Sequence, residues 1–279
     1  MVEQPVLSPA KVNLFLKVTS KRPDGYHNLV SVVDIISIYD VMRLQEARDG
    51  EVVVRDDRGL MPRGAANTVY RAIMLIKEHY GIAAGMVVDV EKHIPIGSGL
   101  GGGSGNAAAV MKELVRLWGL PDDASELAMI GRRIGADVPL FLYGKPCVMR
   151  GVGERISPID LPVIWYIVIY PNAVVNTGDV YKNLRIVLTR DENEVTFSGK
   201  FSCVRDIVDI LENDLEEAAF FLCPQIKTIK ERLRKAGALG SLMTGSGSAV
   251  FGVFEDETDT RKALEKVEGL GSVFIAHSV

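Results

Sequence analysis

Six glycines fall within the nine residues from Gly97 to Gly105, and good helix formers follow them at once. The stretch reads Pro95-Ile96-Gly97-Ser98-Gly99-Leu100-Gly101-Gly102-Gly103-Ser104-Gly105, then Asn106 and three alanines. Backbone without side chains can turn tightly and approach a bulky anion. A helix starting near Ser104 would aim free N–H groups and the positive end of its dipole at that anion. The stretch therefore predicts a phosphate cradle.

Other glycine-rich motifs fit less well. Gly97, Gly99 and Gly102 satisfy G-x-G-x-x-G, but a dinucleotide site also needs an acidic residue ending the next strand, about 20 residues on. That place falls at Pro121-Asp-Asp123, at a helix start. Gly97 and Gly102 also have P-loop spacing, yet Gly103 stands where the P-loop lysine belongs. A flexible linker would have polar flanks, whereas a strand (Met86, Val88, Val90) precedes this stretch and an amphipathic helix (Ala107, Val110, Met111, Leu114, Trp118) follows it.

At 279 residues, the chain is long enough for two domains or one large one. It is 47% apolar and 24% charged, with net charge −4, so no basic surface for nucleic acid is expected and an anion must be met by local donors. The apolar run 161–170 is too short to span a bilayer and reads as a buried strand. Charged Glu3 and Lys11 leave no signal-peptide core. The three cysteines and four histidines lack metal-ligand spacing, which fits reduced thiols in a cytoplasmic protein.

Along the chain, Val12, Leu14, Leu16 and Val18 alternate with Asn13, Phe15, Lys17 and Thr19 as in a half-buried strand. Arg22-Pro-Asp-Gly25 is a turn. Residues 29–38, 41–44 and 52–55 predict three further strands. Asn67 caps a helix with apolar positions Val69, Ile73, Ile76 and Tyr80, stopped by Gly81. A short helix is expected over 124–133, and residues 144–156 are expected to hold a crossing between domains. The second half predicts strands at 165–170, 242–243, 249–254 and 273–276. Its helices are expected at 204–212, 215–221, 225–236 and 258–267. This mixture predicts an α+β fold.

The phosphate-loop pattern Pro-x-Gly-x-Gly-Leu-Gly with its Ser and Ala-rich helix resembles the ATP-binding motif of the GHMP kinase superfamily. Further motifs narrow the resemblance to one branch. These are Ser8-Pro-Ala-Lys-Val-Asn-Leu-Phe-Leu16, Arg22-Pro-Asp-Gly-Tyr-His27, Gly135-Ala-Asp-Val-Pro139, Gly151-Val-Gly-Glu154, Asn213-Asp-Leu-Glu216 and Thr244-Gly-Ser-Gly247, all in family order. Two departures stand out. Gly105 replaces the second serine of Gly-Gly-Gly-Ser-Ser-Asn, leaving Ser104 as the better hydroxyl for phosphate or magnesium, and the second-half motif ends Ser-Gly-Ser-Ala.

The resemblance implies a two-domain α+β protein. Residues 1–155 would form a ribosomal-S5-domain-2-like ATP-binding domain. Residues 156–279 would form a ferredoxin-like domain whose last strand can pack on the first. It implies ATP-dependent phosphorylation, with magnesium, of the 2-hydroxyl of 4-diphosphocytidyl-2-C-methyl-D-erythritol in the non-mevalonate isoprenoid pathway. The alternative is a homoserine or mevalonate type of GHMP kinase. The backbone N–H groups of Gly97 to Gly105 would hold the phosphates, with Pro95 and Ile96 in the same ATP-binding stretch. Asp137 would take the proton of the acceptor hydroxyl, although an Asp before Pro139 could equally be a helix cap. Lys11, beside Asn13 on one strand face, would supply the cation the loop lacks; a lysine that only guards a sheet edge is its plain alternative. Lys17 and Lys21 fit that alternative. Asn13 would contact the substrate, and Tyr26 and His27 would grip its cytosine, with Tyr181 a second wall or else a core tyrosine. Asn67 and Lys92 would lie near the adenosine, or serve as a cap and a solvated strand lysine. No nucleic-acid or membrane partner is implied, and the chain is expected to be a monomer or weak homodimer. A nucleotide-binding regulator and an NAD-dependent oxidoreductase remain as competing classes. The pairing of Lys11 with Asp137 disfavours the first, and an assay comparing NADH with ATP separates the second.

Overall fold

The computed structural model describes residues 4–47, 49–185, 195–197 and 199–279; Glu3 falls outside them. In chain order the elements are β1 (Val6–Lys21), β2 (His27–Ala47), β3 (Val52–Asp56), α1 (Thr68–Tyr80), β4 (Gly85–Glu91), α2 (Gly102–Trp118), α3 (Ala124–Arg132), α4 (Val138–Tyr143), β5 (Cys147–Gly151), β6 (Arg155–Pro158), β7 (Trp165–Tyr170), α5 (Thr177–Lys182), α6 (Val204–Ile210), β8 (Glu212–Asn213), α7 (Glu216–Leu222), α8 (Gln225–Ala236), β9 (Gly240–Met243), β10 (Val250–Phe254), α9 (Glu257–Leu264) and β11 (Ser272–His277). They group into two compact units. One comprises the chain up to Ala10, Tyr39–Ile96 and Gly101–Gly144, and the other Lys11–Ile38, Gly97–Leu100 and Lys145–Val279. The last passage from one to the other falls at Gly144–Lys145, inside the stretch expected to hold a crossing. The rest of that stretch folds as the hairpin β5–β6.

In the first unit, the C-terminal half of β2 pairs antiparallel with β4, and β3 joins β4 in parallel. Helix α1 packs on α2 and buries Val69, Ala72, Ile73 and Ile76 as one stripe. Its limits follow from chemistry at each end. Asn67 Oδ1 accepts from Val69 N and Tyr70 N, and Gly81 closes the helix in the left-handed conformation. Alternation in the sequence separates 29–38 from 41–44, yet β2 runs unbroken through both. Asp40, between the two apolar runs, is a fully buried acceptor within the strand rather than a turn residue.

In the second unit, β7–α8–β9–β10–α9–β11 forms an antiparallel sheet of order β11-β7-β10-β9. That order is the ferredoxin-like arrangement. Ile226, Ile229 and Leu233 of α8 face a core with Ile167, Ile169, Val250 and Phe254. This unit also holds β1 between β2 and β8, and β5 paired with β2. Strand β1 is not half-buried as its alternation predicts. Residues 10–19 are buried on both faces, and the polar ones among them are satisfied by partners rather than by water. Lys17 pairs with Glu212, and Thr19 Oγ1 donates to Asn28 O. Lys17 is thus a buried ion-pair partner and not an edge guard. Asn176 caps α5, its Oδ1 accepting from Asp179 N.

The end of the chain is fastened inside this unit. Ser278 N donates to Ile164 O, Val279 N to Ile35 O, and His277 N to Ser37 Oγ. Asp34 Oδ2 accepts the hydroxyls of Tyr166 at 2.7 Å and Ser278 at 2.6 Å. Its Oδ1 is buried with no hydrogen-bond partner. Burial, opposed by these hydroxyls, pushes the Asp34 carboxyl up to about 6. Among the described residues no helix is long and apolar enough to cross a membrane.

Candidate active site

Helix α2 begins at Gly102, two residues before the expected start at Ser104. Its N-cap, Gly101, has φ 76° and ψ 10°, and no side chain caps the helix. No acidic residue lies in the first turn either. By contrast, α1, α3 and α9 are capped by Asn67, Asp123 and Asp256. The first-turn amides of α2 thus keep their donors and the positive dipole end without an anionic side chain of their own. Gly102, Gly103 and Gly105 belong to the helix rather than the loop. Gly105 is required by packing. A Cβ there would lie 2.8 Å from Pro9 O and 2.9 Å from Ser8 Oγ.

Around this helix start, in the first unit, Thr68 Oγ1 donates to Gly103 O at 2.7 Å. Lys92 is not a solvated strand lysine. It is 4% exposed, ion-paired with Asp40, and its Nζ would lie 3.0 Å from a Cβ on Gly102. Burial lowers the Lys92 pKa, and Asp40, Asp56 and Asp57 oppose that pull. Asn67 caps α1 and also donates Nδ2 to Pro62 O. Beside it lies a cavity of about 430 Å³ lined by β3, Met61, Pro62, Arg63 and Tyr70. Asp137 occupies the N-cap position of α4, but its side chain makes no capping bond. Ser104 Oγ lies 3.5 Å from where a Cβ on Gly135 would be.

In the second unit, Lys11 is 3% exposed and donates Nζ to Asn13 Oδ1 at 2.6 Å. It is therefore not an edge guard. Asn13 is held in turn, with Nδ2 donating to Ser31 Oγ at 2.9 Å and its backbone N–H to Thr244 Oγ1 at 3.1 Å. Lys11 N donates to Leu100 O, and Ser98 O accepts from Ala249 N. A Cβ at Gly99 would collide with Thr244 O, and one at Gly245 would sit 3.3 Å from Lys11 Nζ. The segment Gly97–Leu100 and the turn at Thr244–Gly247 are therefore built against each other beside Lys11. Sequence reasoning gave no role to Thr244, Asn213 or Ser31. Asn213 Nδ2 donates to Met243 O and Gly245 O, fixing the turn. The Asn-Asp-Leu-Glu and Thr-Gly-Ser-Gly motifs were the signal, and their use is mutual support.

His27 and Tyr181 stack with centroids 4.8 Å apart and planes 19° from parallel. Tyr181 stacks on His27 and also packs against the core of the second unit. Burial, helped by Lys21, lowers the His27 pKa, so a neutral ring offers one donor and one acceptor. Tyr26 is 66% exposed. Among the described residues no cluster of three His, Cys, Asp or Glu side chains is arranged for a metal ion.

The profile of the GHMP kinases N terminal domain matches residues 67–145, and that of the GHMP kinases C terminal matches 196–272. A 4-diphosphocytidyl-2-C-methyl-D-erythritol kinase of Syntrophotalea carbinolica is 39% identical over 94% of this chain and 93% of its own. The Geotalea daltonii enzyme of that name is 36% identical over 96% of each chain. A crystal structure of 4-(cytidine 5'-diphospho)-2C-methyl-D-erythritol kinase superposes with a TM-score of 0.81, at 34% identity and 98% coverage of both chains. The homoserine kinase of Cytophaga hutchinsonii shares the fold, with a TM-score of 0.74 at 20% identity over 100% of this chain and 96% of its own. On these grounds the chain belongs to the 4-diphosphocytidyl-2-C-methyl-D-erythritol kinase family of GHMP kinases.

Proposed function

We propose that this protein transfers the terminal phosphoryl group of ATP to the 2-hydroxyl of 4-diphosphocytidyl-2-C-methyl-D-erythritol, giving the 2-phosphate and ADP. The observation that carries the proposal is the bare N-terminus of α2, seventeen residues long, with no capping side chain and no first-turn acid. Such an end favours an anion by roughly 0.3–1 kcal/mol at a surface and more when partly buried.

Phosphoryl transfer needs positioning and charge stabilisation more than covalent help. The main-chain N–H groups of Gly97 to Gly105 hold the phosphates, and adenine occupies the cavity beside Asn67. Magnesium, when bound, would supply positive charge to offset the negative charge of the phosphates, and Ser104 is the side-chain candidate that would help hold it. Asp137 accepts the proton of the acceptor hydroxyl. Lys11, steered by Asn13, steadies charge at the transferred group. Tyr26, His27 and Tyr181 bind the cytosine. A division near residue 155 belongs to the same reading, and the gap between the family matches supports it.

The pure protein with ATP, magnesium and that substrate should release ADP, and turnover no greater than that of Asp137→Ala would defeat the proposal. CMP should compete with the substrate. Indifference to CMP would favour a GHMP kinase for an acceptor without a nucleobase.

A further inference from the structure

Asp40 sits mid-strand in β2 with no exposure to solvent. Its Oδ2 accepts from Lys92 Nζ. Its Oδ1 accepts from His93 N and Ile94 N at 2.8 Å each. Those amides immediately precede Pro95, where the glycine stretch begins. Lys92 Nζ lies against Gly102, the first residue of α2. An ammonium beside the positive end of a helix is unfavourable without a counter-charge, and a buried ammonium tends to lose its proton.

We infer that Asp40 is a positioning residue of the nucleotide site, holding a charged Lys92 against the first turn of α2 and pinning the two amides that lead into the glycine stretch. The inference rests on the kinase reading, with the phosphates at α2. Asp40 touches no substrate; it acts through Lys92. The charged groups around Lys92 are Asp40 from β2, Asp56 at the end of β3 and neighbouring Asp57. Its chain neighbours Glu91 and His93 approach each other at 3.3 Å. Lys92 then presents one positive charge to a polyphosphate, and Asp40 balances the other demand on that charge, the burial itself. A merely structural Asp40 would need only its oxygen acceptors.

The test separates charge from shape. Asp40→Asn keeps an oxygen for the two amides and removes the charge. Binding of a non-hydrolysable ATP analogue is measured by calorimetry from about pH 7.5 to about 9.5, below the ordinary lysine range. Wild type should hold its affinity to a higher pH than Asp40→Asn does. Asp40→Asn should bind roughly tenfold more weakly at the lower end and weaken further as pH rises, because Lys92 loses its proton sooner. Lys92→Met should bind weakly with a flat profile, and adding Asp40→Asn to it should cost less than about twofold. An Asp40→Asn profile parallel to wild type, or additive losses in the double variant, overturns the inference and leaves the kinase reading standing. A wild-type protein that binds no analogue overturns both. Should Asp40→Asn fail to fold, the wild-type Lys92 Cε resonance, assigned through Lys92→Arg, decides the matter. It should shift when the analogue binds, and an unmoved resonance overturns the inference.

Discussion

Asp137 stands at the N-cap position of α4 without bonding to the helix amides. The common structural use of an Asp there is therefore not the one made of it. Asp137→Asn is expected to lower kcat by about 10²- to 10⁴-fold while ATP affinity, set by α2 and the glycine stretch, stays within about twofold. Steady-state kinetics beside calorimetry checks the split. The glycines carry a second prediction. At Gly103 a Cβ would meet Thr68 Oγ1 at 3.4 Å, an ordinary contact, so Gly103→Ala should stabilise the fold by up to about 1 kcal/mol through helix propensity. At Gly105 the nearest atoms are the main-chain O of Pro9 and the hydroxyl of Ser8, so Gly105→Ala should destabilise it by about 1–3 kcal/mol. Paired urea melts would show the opposite signs. Single residue types were legible in the sequence, but their reasons were less so. Gly105 reads there as a lost hydroxyl, whereas in space it is a point of backbone contact. A single chain cannot reveal which distant segment presses on a given glycine.

Among elements, α1 was legible almost to the residue, because an Asn cap, an apolar stripe and a terminal Gly all act locally. Asn67→Ala should cost about 1 kcal/mol of stability, read by chemical denaturation, since both Val69 N and Tyr70 N lose their acceptor. The expected break in β2 failed for the converse reason. Asp40 interrupts an apolar run, and alternation alone cannot distinguish a polar residue turning toward water from one turning toward Lys92 and two amides. The helix start at Gly102 was misplaced because glycine has poor helix propensity, and tertiary contact with Ile94 and Lys92 overrides it. The ferredoxin-like strand order follows from the resemblance, and local pattern alone would have given only an α+β mixture.

Across the whole molecule, Asp34 couples folding to pH. Its carboxyl titrates at about 6 when folded and near the ordinary carboxylate value of about 4 when unfolded. The folded state therefore binds the proton more tightly. This favourable contribution is complete below about pH 4 and is lost as pH rises through about 6, amounting to on the order of 3 kcal/mol. The stability of wild type relative to Asp34→Asn should accordingly fall between pH 5 and pH 7.5, as measured by denaturant melts at fixed ionic strength. A constant difference would mean that Asp34 keeps its ordinary affinity for protons. Nothing in the sequence marks Asp34, since its partners Tyr166 and Ser278 lie far along the chain.

Those same partners bear on how the protein can be handled. The last few residues of most domains can be trimmed or extended at little cost. Here, cutting before Ser278 would remove a hydroxyl from a buried carboxylate and leave the Ile164 and Ile35 carbonyls without their donors.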